Sequence, residues 1–245
     1  MTIGITTFSK RFALLAKLVE QIRRINKHDK IIITVNGEKD GLFDDEYRKN
    51  ILDLCSNYEH VYPIFFIEMR GLSKMWNTII TTSVDDNILL LNDDLEINNL
   101  HIFDEIHGHI TSQEYNGFTR INRSFSHFIV NKSVIDDLGY FDERLLGFGE
   151  EDGDIYYRLI KNNMGIKDIS INGFSNLISD IRHDHVVSGI GKYSLFNREY
   201  IYGQKYLVDE TSNLKGMFDS PMKQIISDVN CYPLEKYHNE NKNRV

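Results

Sequence analysis

At 245 residues, with 41% apolar and 26% charged side chains, the chain has the size of one α/β domain with an appendage and enough apolar residues to fill its core. A net charge of −8 argues against a protein that tracks nucleic-acid phosphates, and two distant cysteines, Cys55 and Cys231, form no disulfide framework. The polar opening MTIGITTFSKR is no signal peptide and no stretch approaches the roughly 20 apolar residues of a membrane span, so the expectation is a cytoplasmic protein without a transmembrane segment.

The first half alternates short β-rich runs with amphipathic helical stretches. Residues 2–7 read as a strand. Residues 10–25 read as a helix, with Phe12, Leu15, Leu18, Val19 and Ile22 at helical spacing. KIIITV, residues 30–35, is a continuous apolar run of the kind buried on both faces, and Asn36-Gly37 ends it. A helix over 44–55 opens on acidic residues; a strand at 61–67, a helix at 71–83 and the strand NILLL at 87–91 follow. This alternation predicts right-handed crossovers and a mostly parallel, Rossmann-like central sheet flanked by helices.

After Asp94 the rhythm changes. A helix is expected at 100–109, strands at 115–121 and 125–130, a helix from Lys132 closed by Gly139, and a loop over 140–148. A helix follows from near Glu150 to Gly165, then a strand at 165–171. Beyond Gly189 the chain is rich in tyrosine and polar residues, with helical patches at 195–206 and 222–229. These form a small helical C-terminal appendage, and Lys192, Arg198 and Lys205 there could touch a membrane surface, a partner or an acceptor, or simply be solvated.

Three constellations could carry chemistry. Asn92-Asp93-Asp94 directly follows NILLL, where open α/β sheets bind ligands. Adjacent carboxylates repel, and a divalent cation that also holds a diphosphate would relieve them; a polar turn is the alternative. In GFGEEDGDIYYRL, residues 147–159, four acids stand within five positions at a helix start. Acids favour that place for capping reasons alone, and Asp154 and Arg158 are spaced for an ion pair. Yet Gly153 weakens the first turn without structural return. In Ile181-Arg182-His183-Asp184-His185 the alternate histidines would share one face of a strand and suit Mn2+, Fe2+ or Zn2+.

Smaller features accompany them. Thr6 and Thr7 end the first strand, where a nucleotide base could lie. RGLSKMWN, residues 70–77, combines Arg70 and Lys74 with a glycine and Trp76, for which core packing is the simpler reading. The stretch 139–143 could offer Tyr140, Phe141 and carboxylates to a sugar, or could be a helix stop with an aromatic anchor.

Taken in order, TIGITTFSKR, RGLSKMWNTI, ILLLNDDLEI and GYFDERLLGFGEEDGDIYYRL resemble inverting GT-A glycosyltransferases, the family 2 group in general. GFGEEDGDIYYRL and DIRHDH are similar to the β-1,4-galactosyltransferase-like branch. The resemblance spans residues 1–187 as a GT-A domain: 1–97 would be the nucleotide-sugar-binding half and 98–187 the acceptor and catalytic half. Residues 188–245 would be the helical extension. It implies transfer of a hexose or N-acetylhexosamine from a UDP-sugar to a glycan or lipid-linked saccharide, with Mn2+ or Mg2+, as in polysaccharide biosynthesis, and allows peripheral contact at the inner face of the membrane.

By position, the resemblance makes Asp94 the metal ligand, with His183 or its rival His185. Asn92 stands where the Asp-x-Asp motif usually has its first acid, and Asp93 fills the variable middle place. Thr6, Thr7, Arg11 and Asn36 fall to the nucleotide, and Arg70, Lys74 and Asn77 to the donor-side helix. Asp152 becomes the general base, with Glu151 orienting the acceptor. A non-catalytic sugar-nucleotide-binding scaffold is the alternative that Asn92 favours. A nucleotidyltransferase ranks lower, since TTFSKR has no glycine-rich phosphate loop.

Overall fold

The computed structural model describes residues 1–8, 11–37, 44–177 and 196–206. Nine strands and six α-helices follow one another: β1 (Thr2–Thr7), α1 (Phe12–Ile25), β2 (Lys30–Val35), α2 (Asp45–Ser56), β3 (Val61–Phe65), α3 (Leu72–Thr82), β4 (Asn87–Asn92), β5 (Leu95–Ile97), α4 (Ile102–Ile110), β6 (Phe118–Ile121), β7 (Ser124–Asn131), α5 (Lys132–Leu138), α6 (Glu151–Lys161), β8 (Lys167–Ile169) and β9 (Phe174–Asn176). Helical residues 196–200 then run into a π-helical turn, Ile201–Lys205. No helix among the described residues is long and apolar enough to cross a membrane.

Seven strands form one sheet in the order β3-β2-β1-β4-β7-β6-β8. Neighbours pair parallel except at β7, which runs against both β4 and β6. The first three strands step outward on one side of β1, and β4 joins its other side. The strand order therefore reverses between β1 and β4, the place where open α/β sheets hold ligands beyond their carboxyl ends.

Alternation along the strands divides the core. Ile3, Ile5, Ile31, Ile33, Leu89 and Leu91 face α1, α2 and α4. Ile32, Ile88 and Leu90 face α3, α5 and α6. Gly4 admits α3 to the sheet: a Cβ there would lie 2.4 Å from Ile79 Cγ2. The caps follow local chemistry. Asp44 accepts from Tyr47 N at the start of α2, and Asn131 accepts from Ser133 N at the start of α5. Gly139, at φ 85°, ends α5 as the sequence predicts.

A second, two-stranded sheet pairs β5 with β9. It is absent from the sequence expectation, and it bends the chain back to the site. Leu177 N donates to the carbonyl of Asp94 at 2.9 Å, immediately before the segment that carries His183 and His185. Those histidines, Cys231 and the helical patch expected at 222–229 lie outside the described residues.

Candidate functional site

The carboxyl ends of β1 and β4 open into a cleft. Thr6, Thr7, Phe8 and Arg11 line it from β1 and the start of α1, and Asn92, Asp93 and Asp94 from the end of β4. Leu72 and Met75 of α3, with Phe148 from the loop before α6, complete the wall.

Three charges meet here out of water. Asp93 is 1% exposed, accepts from Thr7 Oγ1 at 2.7 Å and meets Arg11 Nη1 at 2.5 Å. Burial pushes its carboxyl up to about 7, although Arg11 and the Thr7 hydroxyl pull the other way. Arg11 Nη2 also reaches Asp94 Oδ2 at 3.2 Å. The other oxygen of Asp94, Oδ1, is buried and has no hydrogen-bond partner among the described residues. A partnerless buried carboxylate oxygen is costly unless something else engages it.

The loop before α6 reaches the same wall. The Phe148 ring lies 5.8 Å from that of Phe8. Gly147 O accepts from Leu72 N at 2.8 Å, and a Cβ on Gly71 would stand 2.7 Å from Leu145 O. That close approach accounts for the glycine that starts α3.

The four acids at the start of α6 divide into four environments. Glu150, at φ 74°, is left-handed and ion-paired with Arg198. Glu151 is 4% exposed; its Oε2 accepts from Gly149 N at 2.7 Å and its Oε1 is buried without a partner. Burial pushes its carboxyl up to about 8, with Asp152 and Glu150 adding to the rise and the Gly149 amide opposing it. Asp152 is exposed and accepts from Gly153 N at 2.9 Å. Asp154 is fully buried and pairs with Arg158 at 2.6 Å, the ion pair its spacing predicts.

No protein-family model matches the sequence, and no curated protein matches it. Solved structures do. Glucosyl-3-phosphoglycerate synthase from Mycobacterium tuberculosis, solved with Mn2+, UDP and glucosyl-3-phosphoglycerate, superimposes with a TM-score of 0.62 at 9% identity, over 92% of this chain and 91% of that one. S. aureus TarS, residues 1–349, gives 0.55 at 11% identity, over 84% and 75%. The mannosyltransferase PcManGT from Pyrobaculum calidifontis, solved with GDP-Man and Mn2+, gives 0.54 at 9% identity, over 69% and 54%. The fold is that of the GT-A glycosyltransferases.

Within this GT-A fold the remaining expected residues have supporting positions. Asn36 Nδ2 donates to Arg70 O at 2.8 Å and its Oδ1 accepts from Arg70 N at 2.7 Å, so its amide clamps the end of β2 to the chain after β3. Neither Asn36 nor Arg70 lines the cleft. Asn77 holds the loop after α5: it donates to Phe141 O and Glu143 Oε1, each at 2.9 Å, and accepts from Phe141 N at 3.0 Å. Lys74, expected on the donor side, does not line the cleft; it pairs with buried Glu143 at 3.3 Å. Arg11 and Asp93, both expected to meet the nucleotide, are bonded first to each other.

Neither of the aromatics that the stretch 139–143 could offer to a sugar lines the cleft. Phe141 is 1% exposed and packs 4.8 Å from Trp76, itself a core residue as the sequence reading preferred. Tyr140 donates to Asp136 at 2.8 Å.

Among the described residues no group of three or more His, Cys, Asp or Glu side chains could hold a metal ion. Asp94 nevertheless fits the part of one ligand, since its free oxygen is a hard donor at the cleft.

Sequence reasoning passed over His127. It is 3% exposed on β7, stacks on Phe174 with centroids 4.9 Å apart, and neither ring nitrogen has a hydrogen-bond partner among the described residues. Burial lowers it to about 4. No spacing in the sequence marks a single histidine in a strand.

Proposed function

We propose that this chain is an inverting, divalent-metal-dependent glycosyltransferase that moves a hexose or N-acetylhexosamine from a UDP-sugar to a glycan or lipid-linked saccharide hydroxyl. The observation that carries the reading is the partnerless buried oxygen of Asp94, set at the β1/β4 reversal on the wall of an open cleft. The M. tuberculosis synthase and PcManGT, which share the fold, were solved with Mn2+ and a nucleotide or nucleotide-sugar, and TarS has been solved with UDP-GlcNAc.

Asp94 would hold the cation, together with His183 or His185. Leu177, six residues before His183 in the sequence, donates its backbone N–H to the Asp94 carbonyl, and this contact supports the reading. The chemistry a divalent cation supplies there is charge neutralisation of a departing diphosphate. Arg11 would keep Asp93 and Asp94 from repelling each other before the donor arrives. Thr6, Thr7 and Asn92 would meet the nucleoside, with Phe8 and Phe148 as apolar walls.

Acceptor chemistry would belong to the start of α6. The acceptor oxygen would attack the anomeric carbon opposite the leaving diphosphate, inverting that centre, as its proton passes to the exposed Asp152 carboxylate. Glu151, kept protonated by burial, would donate a hydrogen bond that orients the acceptor. The galactosyltransferase-like branch, a role in polysaccharide biosynthesis and action at the inner face of the membrane are the finer parts of this reading. They rest on the GFGEEDGDIYYRL and DIRHDH segments.

The test is release of UDP from a panel of UDP-sugars, with saccharide acceptors, in Mn2+ and in chelator. Acceptor-dependent release in Mn2+ alone supports the proposal. Binding of a nucleotide sugar without turnover across the panel would favour the non-catalytic scaffold.

A further inference from the structure

The first turn of α6 is poorly made by its own sequence. Its N-cap, Glu150, is left-handed and gives no side-chain cap. Gly147 and Gly149 both have positive φ just before it, and Gly153 lies inside the turn. Something else must hold the residues that flank Glu151 and Asp152.

Segment 196–206 does so, contact by contact. The Asn197 amide accepts from Leu146 N at 2.8 Å and donates to Leu146 O at 2.9 Å and Gly149 O at 2.8 Å. Arg198 Nη2 pairs with Glu150 at 2.9 Å. Lys205, wholly buried, donates from Nζ to Asp142 Oδ2 at 2.8 Å and to Asp154 Oδ1. Tyr206 donates its hydroxyl to the same Asp154 oxygen at 2.5 Å.

A lysine without solvent is expensive unless fully paired, so its place is tightly specified. Burial alone would raise Asp142 and Asp154, but Lys205 with Arg144 at the first and Arg158 with Lys205 at the second outweigh it and hold both carboxyls below their usual range. The loop before α6 and the first turn of α6 are thus joined through one ammonium group on a distant part of the chain.

We infer that segment 196–206 is a clasp that sets the position of the α6 first turn, with Lys205 as a positioning residue for the acceptor chemistry at Glu151 and Asp152. The clasp bonds none of the cleft-lining residues directly in the contacts above; its Asn197 arm holds the backbone on either side of Phe148, while its Lys205 arm reaches only Asp142 and Asp154 and so governs the acceptor side. The inference rests on the proposed glycosyltransferase reading for its kinetic consequence, but its structural consequence stands by itself.

The experiment uses the full chain with Lys205→Met. Asp142 then keeps Arg144 and Asp154 keeps Arg158, so the buried charges still balance and the fold is retained. A second variant, Asn197→Ala, loosens the loop without touching any buried charge. Turnover of a UDP-sugar, donor KM and amide exchange are measured for both.

The expected result is a fall in kcat of roughly 10- to 100-fold, with donor KM of Lys205→Met within about twofold, because a misplacement of about 1 Å costs that much in rate. Faster exchange confined to residues 146–154 should accompany it. Unchanged kcat and unchanged exchange in both variants would overturn the clasp, as would an equal loss of donor binding in Lys205→Met. If the wild-type chain transfers no sugar, the function proposal fails. The exchange pattern then decides the clasp: faster exchange confined to 146–154 upholds it, and any other pattern overturns it.

Discussion

Arg11 and Asp93 meet at 2.5 Å with side chains 8% and 1% exposed, joining the start of α1 to the end of β4 across the mouth of the sheet. Arg11 bridges two repelling neighbours, Asp93 and Asp94, and offsets one of their two like charges. Removing Asp93 leaves Arg11 with Asp94 alone, at 3.2 Å. Asp93→Asn is expected to cost about 1–3 kcal/mol in urea denaturation. The double variant Arg11→Met with Asp93→Asn should cost clearly less than the two single changes summed, as expected of contacting residues. Additive losses would mean that the two side chains act independently.

Glu151 gives a pH signature. Its folded carboxyl sits near 8, above the ordinary 4.5. Between those values the folded state binds the proton and the unfolded state does not, so stability is full below 4.5 and is lost as pH rises through 8. Glu151→Gln removes this loss. The variant should gain on wild type by an amount on the order of 3 kcal/mol between pH 5 and 8. Parallel stability profiles for the two proteins over that range would show that Glu151 is already ionised in the fold.

His127 gives the opposite sign. Burial lowers it to about 4 from 6.5, so between these values the unfolded state binds more protons. Stability is therefore full above 6.5 and falls as pH drops towards 4. His127→Leu should be free of this term and should outlast wild type at pH 4.5 in thermal or chemical melts, by about 2 kcal/mol. If acid weakens the variant and wild type equally, the ring is not buried neutral.

The contrast between these residues explains what the sequence could and could not tell. Strands β1 and β2 begin and end where the sequence reading puts them and β4 runs one residue beyond it, and in β2 and β4 burial on both faces leaves a near-continuous apolar run. Strands β5 and β9 have three residues each and pair across 81 positions, Leu95 with Asn176, so no local period announces them. Asp94 at the strand end was legible from NILLLNDD. The Arg11–Asp93 bond was not, since 82 positions separate the partners and a carboxylate looks the same whether it awaits a ligand or an arginine. For the same reason the sequence leaves Asp142 as a carboxylate for a sugar and Lys205 as a contact or solvated group of the extension, although both are buried. The ion pair of Asp154 and Arg158 was legible because its spacing is local.

Asp152 separates binding from chemistry. It is the exposed acid of the α6 start, with only the Gly153 amide shown bonded to it among the described contacts. Asp152→Asn is expected to lower kcat by about 10²- to 10⁴-fold, the range of a lost general base, with the affinity for the UDP-sugar unchanged. Steady-state turnover and donor titration on the same preparation check it. Normal turnover by the variant would remove the base from Asp152.

The central claim is that Asp94 holds a divalent cation for a nucleotide-sugar donor. Calorimetric titration of the folded wild-type chain and of Asp94→Asn with a panel of UDP-, GDP- and dTDP-sugars, in Mn2+ and in chelator, tests it most directly. The account predicts that a UDP-sugar binds the wild type in Mn2+ alone and that Asp94→Asn abolishes this binding without unfolding the protein. Binding of equal strength in chelator and in the variant, or no binding of any nucleotide sugar, would contradict it.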